Sequence, residues 1–229
     1  MNLLKKTIAA IAVITISAGM CTAAMADTVQ FTDVSEQSSY YEAINYTVSN
    51  GLFTGVTDTE FAPDTQLTRG MFVTILGRTY SKLRGDDLGP SETVSETGFK
   101  DVAADDYCGA AVYWAWKNGI VSGYDENTFG PNDVLTKEQA VSVMYRFSQV
   151  LRDNLLSGGD TNILSYTDYF DISKYAIPAI QWGLENQLIT DDGEYFHPAE
   201  KVTRGEAAQY LFNYLTKLTG GEETGEDVG

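Results

Sequence analysis

Apolar residues along this chain recur at helical spacing in short and long runs, and the short–long pair returns three times. Ala111, Val112, Ala115 and Trp116, with Trp114 beside them, fall at three-to-four spacing, as do Ala179, Ile180, Gly183 and Leu184, which predicts short amphipathic helices. Longer periodic runs pass through Phe72, Ile75 and Leu76, through Val143, Met144 and Phe147, and through Ala207, Leu211 and Tyr214. Each short helix is joined to a long one by a loop of about 16 residues carrying Gly, Asp, Asn and Pro. Paired apolar positions in these loops, Leu52 with Phe61, Ile120 with Phe129 and Leu188 with Phe196, are expected to tuck each loop onto the core.

Polar markers punctuate the same frame. Each copy begins with aromatic-x-Asp, at Phe31-Thr32-Asp33, Phe99-Lys100-Asp101 and Tyr166-Thr167-Asp168. From that Asp to a later Thr the interval is 35 residues in every copy, ending at Thr68, Thr136 and Thr203. Repeats of this kind are structural units. Each Thr is the first hydroxyl before a long apolar run, so it is the expected N-cap, and Gln139 and Glu206 complete capping boxes with Thr136 and Thr203. Met71 stands at that place in copy one, leaving only the hydroxyl half. Gly51 and Gly119 suit the left-handed position that ends a helix, whereas Gln187 weakens the stop in copy three. The long helices are expected to run to about Arg84 and about Leu156, followed by linkers at 85–98 and 157–165 rich in Gly, Ser, Thr and Asp.

The N-terminus changes the picture of where the protein resides. Lys5 and Lys6, an apolar run from Ile8 to about Ala18 and the Ala24-Met25-Ala26 pattern read as a signal peptide at 1–26. The run is too short to span a bilayer, and an exported protein without a membrane span is expected. Cleavage after Ala26 leaves Cys108 alone, so no intrachain disulfide is expected. Formal net charge is −17, which disfavours nucleic-acid binding because phosphate affinity rests on clustered Lys and Arg. The last residues, 219–229, form an acidic tail without apolar anchors and are expected to be disordered.

Aromatic-x-Asp, a helix ending in Gly-Ile or Gly-Leu, Gly four residues on, Phe-x-Pro and Thr-Arg together resemble the S-layer homology repeat, over Phe31 to about Tyr214. The resemblance implies an all-α fold of three helix-loop-helix repeats, at 27–84, 99–156 and 166–218, forming a three-pronged spindle around a central helical bundle. It implies noncovalent, noncatalytic attachment to the bacterial cell wall, without a cofactor. The implied ligand is secondary cell-wall polysaccharide, often bearing ketal-linked pyruvate, held in grooves between repeats. The implied contacts to the acidic sugar are Arg69, Lys137 and Arg204.

The residues themselves support that expectation. A cation just after a helix cap, with free N–H groups and the positive helix end, would meet a carboxylate. Arg forms a fork with a carboxylate, whereas Lys offers a point charge, so copy two is expected to bind differently. Gly55 and Gly123 are expected to admit a ligand close to the backbone, while Asp191 takes that place in copy three and should repel an anion. Trp114 and Trp182 are candidates for stacking on sugar, with core packing as the alternative. Asp33, Asp101 and Asp168 read either as ligand contacts or as groups tying down a turn. His197 replaces Ala62 and Gly130 at a variable place, which argues against catalytic or metal work. A calcium loop at Asp125 fails because Phe129 and Thr136 occupy ligand positions. A cell-surface structural or protein-interaction subunit without glycan binding is the alternative function.

Overall fold

The computed structural model describes residues 31–89, 91–151 and 160–220. The leader at 1–26, the helix end expected near Leu156 and the tail beyond residue 220 lie outside them. Among the described residues six α-helices appear where the periodicity places them: α1 (Tyr41–Ser49), α2 (Arg69–Arg84), α3 (Gly109–Lys117), α4 (Lys137–Leu151), α5 (Ile177–Glu185) and α6 (Arg204–Gly220). The fold is all-α, and among the described residues the only β pairing is three isolated bridges.

Local chemistry fixes the helix ends. The Thr68 hydroxyl accepts the Met71 N–H at 3.3 Å, and reciprocal capping boxes join Thr136 to Gln139 and Thr203 to Glu206. The short helices start without side-chain caps, but all three end on an asparagine. Asn50, Asn118 and Asn186 each donate a side-chain N–H to the carbonyl four residues back, at 2.9, 2.8 and 2.9 Å. The next residue turns left-handed, with φ of 71° at Gly51, 70° at Gly119 and 56° at Gln187. Gln187 thus ends α5 despite its side chain, contrary to the expectation of a weakened stop.

Helices pair between repeats rather than within them. α2 packs on α3, α4 on α5 and α6 on α1, so each prong joins the long helix of one repeat to the short helix of the next. The last pair closes the circle between the two ends of the chain. In the middle α2 also meets α4, and the Phe147 ring of α4 lies 6.0 Å from Tyr214 of α6. Above these helices the residues preceding the capping threonines form a closed ring of three hydrogen bonds. Leu67 N–H donates to the Val202 carbonyl, Val202 N–H to Leu135 and Leu135 N–H to Leu67, at 2.8, 3.1 and 3.1 Å. All three side chains are buried, so the ring is shielded from water and joins every repeat to both others.

Each loop is folded back by one carboxylate. Phe61 and Ala62 N–H donate to Asp33 at 2.9 and 2.6 Å, Phe129 and Gly130 N–H to Asp101 at 2.9 and 2.7 Å, and Phe196 and His197 N–H to Asp168 at 2.9 and 2.7 Å. The turn reading of these aspartates is the one the structure supports. The phenylalanine between the two markers is fully buried in every copy, contributing about 2–3 kcal/mol of apolar burial. The middle residue of Phe-x-Pro is left-handed in all three, at φ 58°, 75° and 58° for Ala62, Gly130 and His197.

The stretch 85–98 is more than a linker. A 3₁₀ helix at Ser91–Thr97 packs on α3, burying Val94, and the Tyr113 hydroxyl donates to Glu96 at 2.9 Å. In the second connection Ile163 is buried, and Gln181 donates to the Thr161 carbonyl at 2.9 Å.

Candidate functional site

Three junctions, one between each pair of repeats, are built on the same plan. The first two N–H groups of α2 donate to the Asp133 and Pro131 carbonyls of the second loop, at 2.9 Å each. Those of α4 donate to Glu200 and Pro198 in the third loop at 2.8 and 3.1 Å, and those of α6 to Thr65 and Pro63 in the first at 2.9 and 2.8 Å. With the third N–H taken by the capping threonine, the first three N–H groups of each long helix are already bonded. The expectation of free N–H groups beside the cations is therefore corrected: the neighbouring repeat occupies them.

The cations that follow the caps are buried. Arg69, Lys137 and Arg204 retain 9%, 7% and 6% of their exposure. Arg69 lies between Tyr124 and Phe129, 4.8 and 4.6 Å from their ring centres, donating from Nε to the Phe129 carbonyl at 3.0 Å and from Nη2 to Ser122 at 2.9 Å. Arg204 repeats this against the first loop, over the Phe61 ring at 4.5 Å, with bonds to the Phe61 and Thr54 carbonyls at 2.9 and 2.7 Å. Lys137 stands over Phe196 at 4.7 Å in the third loop.

The charge balance separates these junctions. Among the described residues the one contact of salt-bridge length is His197 with Asp192, so none of the three cations has a carboxylate at that distance. Burial pushes Arg69 and Arg204 below the usual arginine range; Tyr124, Asp133 and Asp101 oppose the shift at Arg69, and Asp33 opposes it at Arg204. Burial lowers Lys137 too, but Glu200, Glu206, Asp191 and Asp168 all pull it back up. The ring connectivity puts Lys137 and Asp191, the two departures seen separately in the sequence, into one junction. The same junction carries Glu138 where the others have Gly70 and Gly205. Ser173 N–H and Oγ donate to its carboxylate at 2.9 and 2.8 Å, and the Tyr175 hydroxyl at 3.2 Å, latching repeat two to repeat three.

Gly55 and Gly123 answer to packing rather than to an approaching ligand. A Cβ on Gly55 would lie 2.3 Å from the Thr57 carbonyl oxygen and 2.6 Å from the Phe31 ring, and one on Gly123 would lie 2.4 Å from the Phe99 ring. Trp114 and Trp182 are core residues, 6% and 1% exposed, in contact with Tyr80 and Phe147 and with Tyr145 and Tyr214. Neither indole offers an open face to a sugar. Cys108 is buried, and burial pushes its thiol up to about 11, as befits an inert core residue. Arg78 and Arg146, which no sequence marker singles out, donate to the loop carbonyls of Leu52 and Ile120 at 3.4 and 3.3 Å.

Comparison with known proteins matches the sequence to a described family. The S-layer homology domain profile fits residues 30–70, 98–141 and 165–208, one match per repeat. Among curated proteins, the chain is 36% identical to a surface-layer 125 kDa protein of Lysinibacillus sphaericus over 52% of this chain and 10% of that protein. It is 27% identical to a cellulosome-anchoring protein of Acetivibrio thermocellus over 61% of this chain and 29% of that one. An endoglucanase of a Bacillus strain is 26% identical over 82% of this chain but only 19% of its own length. The chain thus spans less than a third of each relative.

Proposed function

Because the chain belongs to the S-layer homology domain family, with three copies closed into one ring, we propose that it is a noncatalytic module attaching to the bacterial cell wall through an anionic wall glycan. The observation that carries this is the pair of buried guanidiniums at Arg69 and Arg204, neither in salt-bridge contact with a carboxylate. Buried charges in folded proteins are normally paired, and these have no carboxylate in contact in a chain of 32 acidic residues. A glycan carboxylate, such as that of ketal-linked pyruvate, would supply the missing partner to the donors left free by the loop carbonyls. Arginine's planar fork favours such a partner geometrically.

The relatives named for surface layers and cellulosome anchoring support a cell-surface setting. The endoglucanase match covers a small part of that enzyme, so glycan hydrolysis is not carried over to this chain. The Lys137 junction, balanced by acids and latched by Glu138, reads as structural.

Retention on purified wall sacculi tests this reading. The chain is expected to cosediment with untreated sacculi and to stay in solution once mild acid has removed pyruvate. Equal retention on both would eliminate the carboxylate contact. Recovery of a specific envelope protein with no retention on glycan would favour a protein-interaction subunit instead.

A further inference from the structure

The Thr-Arg pattern marks one guanidinium per junction, yet each of two loops is held by two. In the second loop Arg146 Nη1 donates to the Ile120 carbonyl at 3.3 Å, and Arg69 Nη2 donates to Ser122 at 2.9 Å, two residues further on. In the first loop Arg78 Nη1 reaches Leu52 at 3.4 Å and Arg204 Nη2 reaches Thr54 at 2.7 Å, again two residues further. Positions two residues apart along a chain lie within about 7 Å of each other, so each loop is held by two cations at neighbouring carbonyls. One arrives from the neighbouring repeat and one from the loop's own repeat.

The third loop lacks this arrangement. The position ten residues after the capping threonine, Arg78 in copy one and Arg146 in copy two, is Asn213 in copy three. Asn213 donates an amide N–H to the Leu188 carbonyl at 3.2 Å, preserving the loop contact without the charge. Its companion is Lys137, and Asp191 sits in the same loop. Carbonyl binding alone therefore does not require arginine at this position.

The free donors point to an external partner. Arg78 is exposed and Arg146 half-exposed, each making one hydrogen bond to a carbonyl and, among the described residues, no ion pair. A guanidinium has five N–H donors, so most remain open to a ligand. Two like charges held on one loop repel, and an anion between them removes that repulsion. At the second loop the Arg146 charge adds to burial in holding Arg69 below its usual range, and both arginines act on the nearby Tyr175 hydroxyl.

We propose that Arg146 with Arg69, and Arg78 with Arg204, form two paired-guanidinium sites that hold the anionic group of the wall glycan from two sides, while the Lys137–Asn213 pair forms none. The proposal rests on the glycan reading above and adds to it the second cation and the number of sites. Both sites take a carboxylate carried on a sugar ring, with the fork of each arginine directed at one oxygen pair or bridging two.

The test is the Arg78→Gln/Arg146→Gln double variant, whose amides keep a donor for the loop carbonyls as Asn213 does. The probe is solubilised, pyruvylated wall polysaccharide, with its acid-depyruvylated form as the control. Helical circular dichroism and the unfolding midpoint should match the parent, while affinity for the pyruvylated form falls by about tenfold or more and its salt dependence flattens. Arg146→Lys in the same assay should lose less, since the charge is kept and only the fork is lost. A parent that binds the polysaccharide and a double variant that binds it equally well would overturn the pairing alone. A parent that binds neither form would remove the glycan reading and the pairing together.

Discussion

Asp101→Ala is expected to destabilise the protein by about 3–5 kcal/mol, because it removes two charge-assisted hydrogen bonds and leaves two backbone donors of a packed loop unmatched. The consequence spreads beyond its own repeat. The loop that Asp101 closes presents the Pro131 and Asp133 carbonyls to the start of α2, and the Phe129 and Ser122 carbonyls to Arg69. Releasing it therefore loosens the junction between repeats one and two as well as the Phe129 anchor. A chain of this size should lose roughly 10 °C of melting temperature. Asp101→Asn keeps one acceptor but sets an amide N–H against a backbone donor, so its loss should lie between the parent and Asp101→Ala. Thermal and urea unfolding followed by circular dichroism measure both. A loss under about 1 kcal/mol for Asp101→Ala would mean that apolar packing, not the carboxylate, closes the loop.

Replacing Arg69 and Arg204 together by Ala is expected to lower wall retention by about a hundredfold or more, whereas Lys137→Ala should leave it within about threefold of the parent. The asymmetry follows from the charge balance: none of the three cations has a carboxylate at contact distance, but Glu200, Glu206, Asp191 and Asp168 all act on Lys137, against Asp133 and Asp101 on Arg69 and Asp33 alone on Arg204. Each arginine also joins two repeats through two carbonyls, so the double variant should lose some stability. Relief from burying an unpaired charge offsets part of that loss, leaving about 1–2 kcal/mol per site. Retention is therefore measured well below the unfolding midpoint of the variant. If Lys137→Ala removed as much retention as the arginine pair, the three junctions would be equivalent and the charge argument would fail.

Much of the scaffold was legible because its signals are local. The three-to-four spacing, the threonine caps and the glycine stops each describe one turn of chain, and all recur at the same interval. The aspartates were readable as turn residues because a short carboxylate ahead of a Gly-rich loop has few other backbone donors within reach. Gln187 misled because glycine is the usual left-handed residue, yet Asn186 bonding back to Trp182 holds the turn without it. The 3₁₀ helix at Ser91–Thr97 escaped because its burial rests on Val94 in a run that otherwise reads as polar linker.

The site was less legible because it is assembled across repeats. Periodicity says that a helix has a buried face but not which neighbour covers it, so pairing α6 with α1 could not be read from spacing. For the same reason Lys137 in copy two and Asp191 in copy three looked like separate weaknesses of separate copies. Only the ring places them together and leaves two arginine junctions intact. Gly55 and Gly123 showed no sign in the sequence of the rings packed against them. Arg78 and Arg146 were silent because a lone arginine on a helix reads as a solvated surface residue until its loop carbonyl is seen.

Calorimetric titration of the chain with a defined pyruvylated wall oligosaccharide, and with the same oligosaccharide lacking pyruvate, tests the central claim most directly. Two equivalents of the pyruvylated form should bind per chain, with no measurable heat from the other. Equal binding of both forms, or three equal sites per chain, would contradict it.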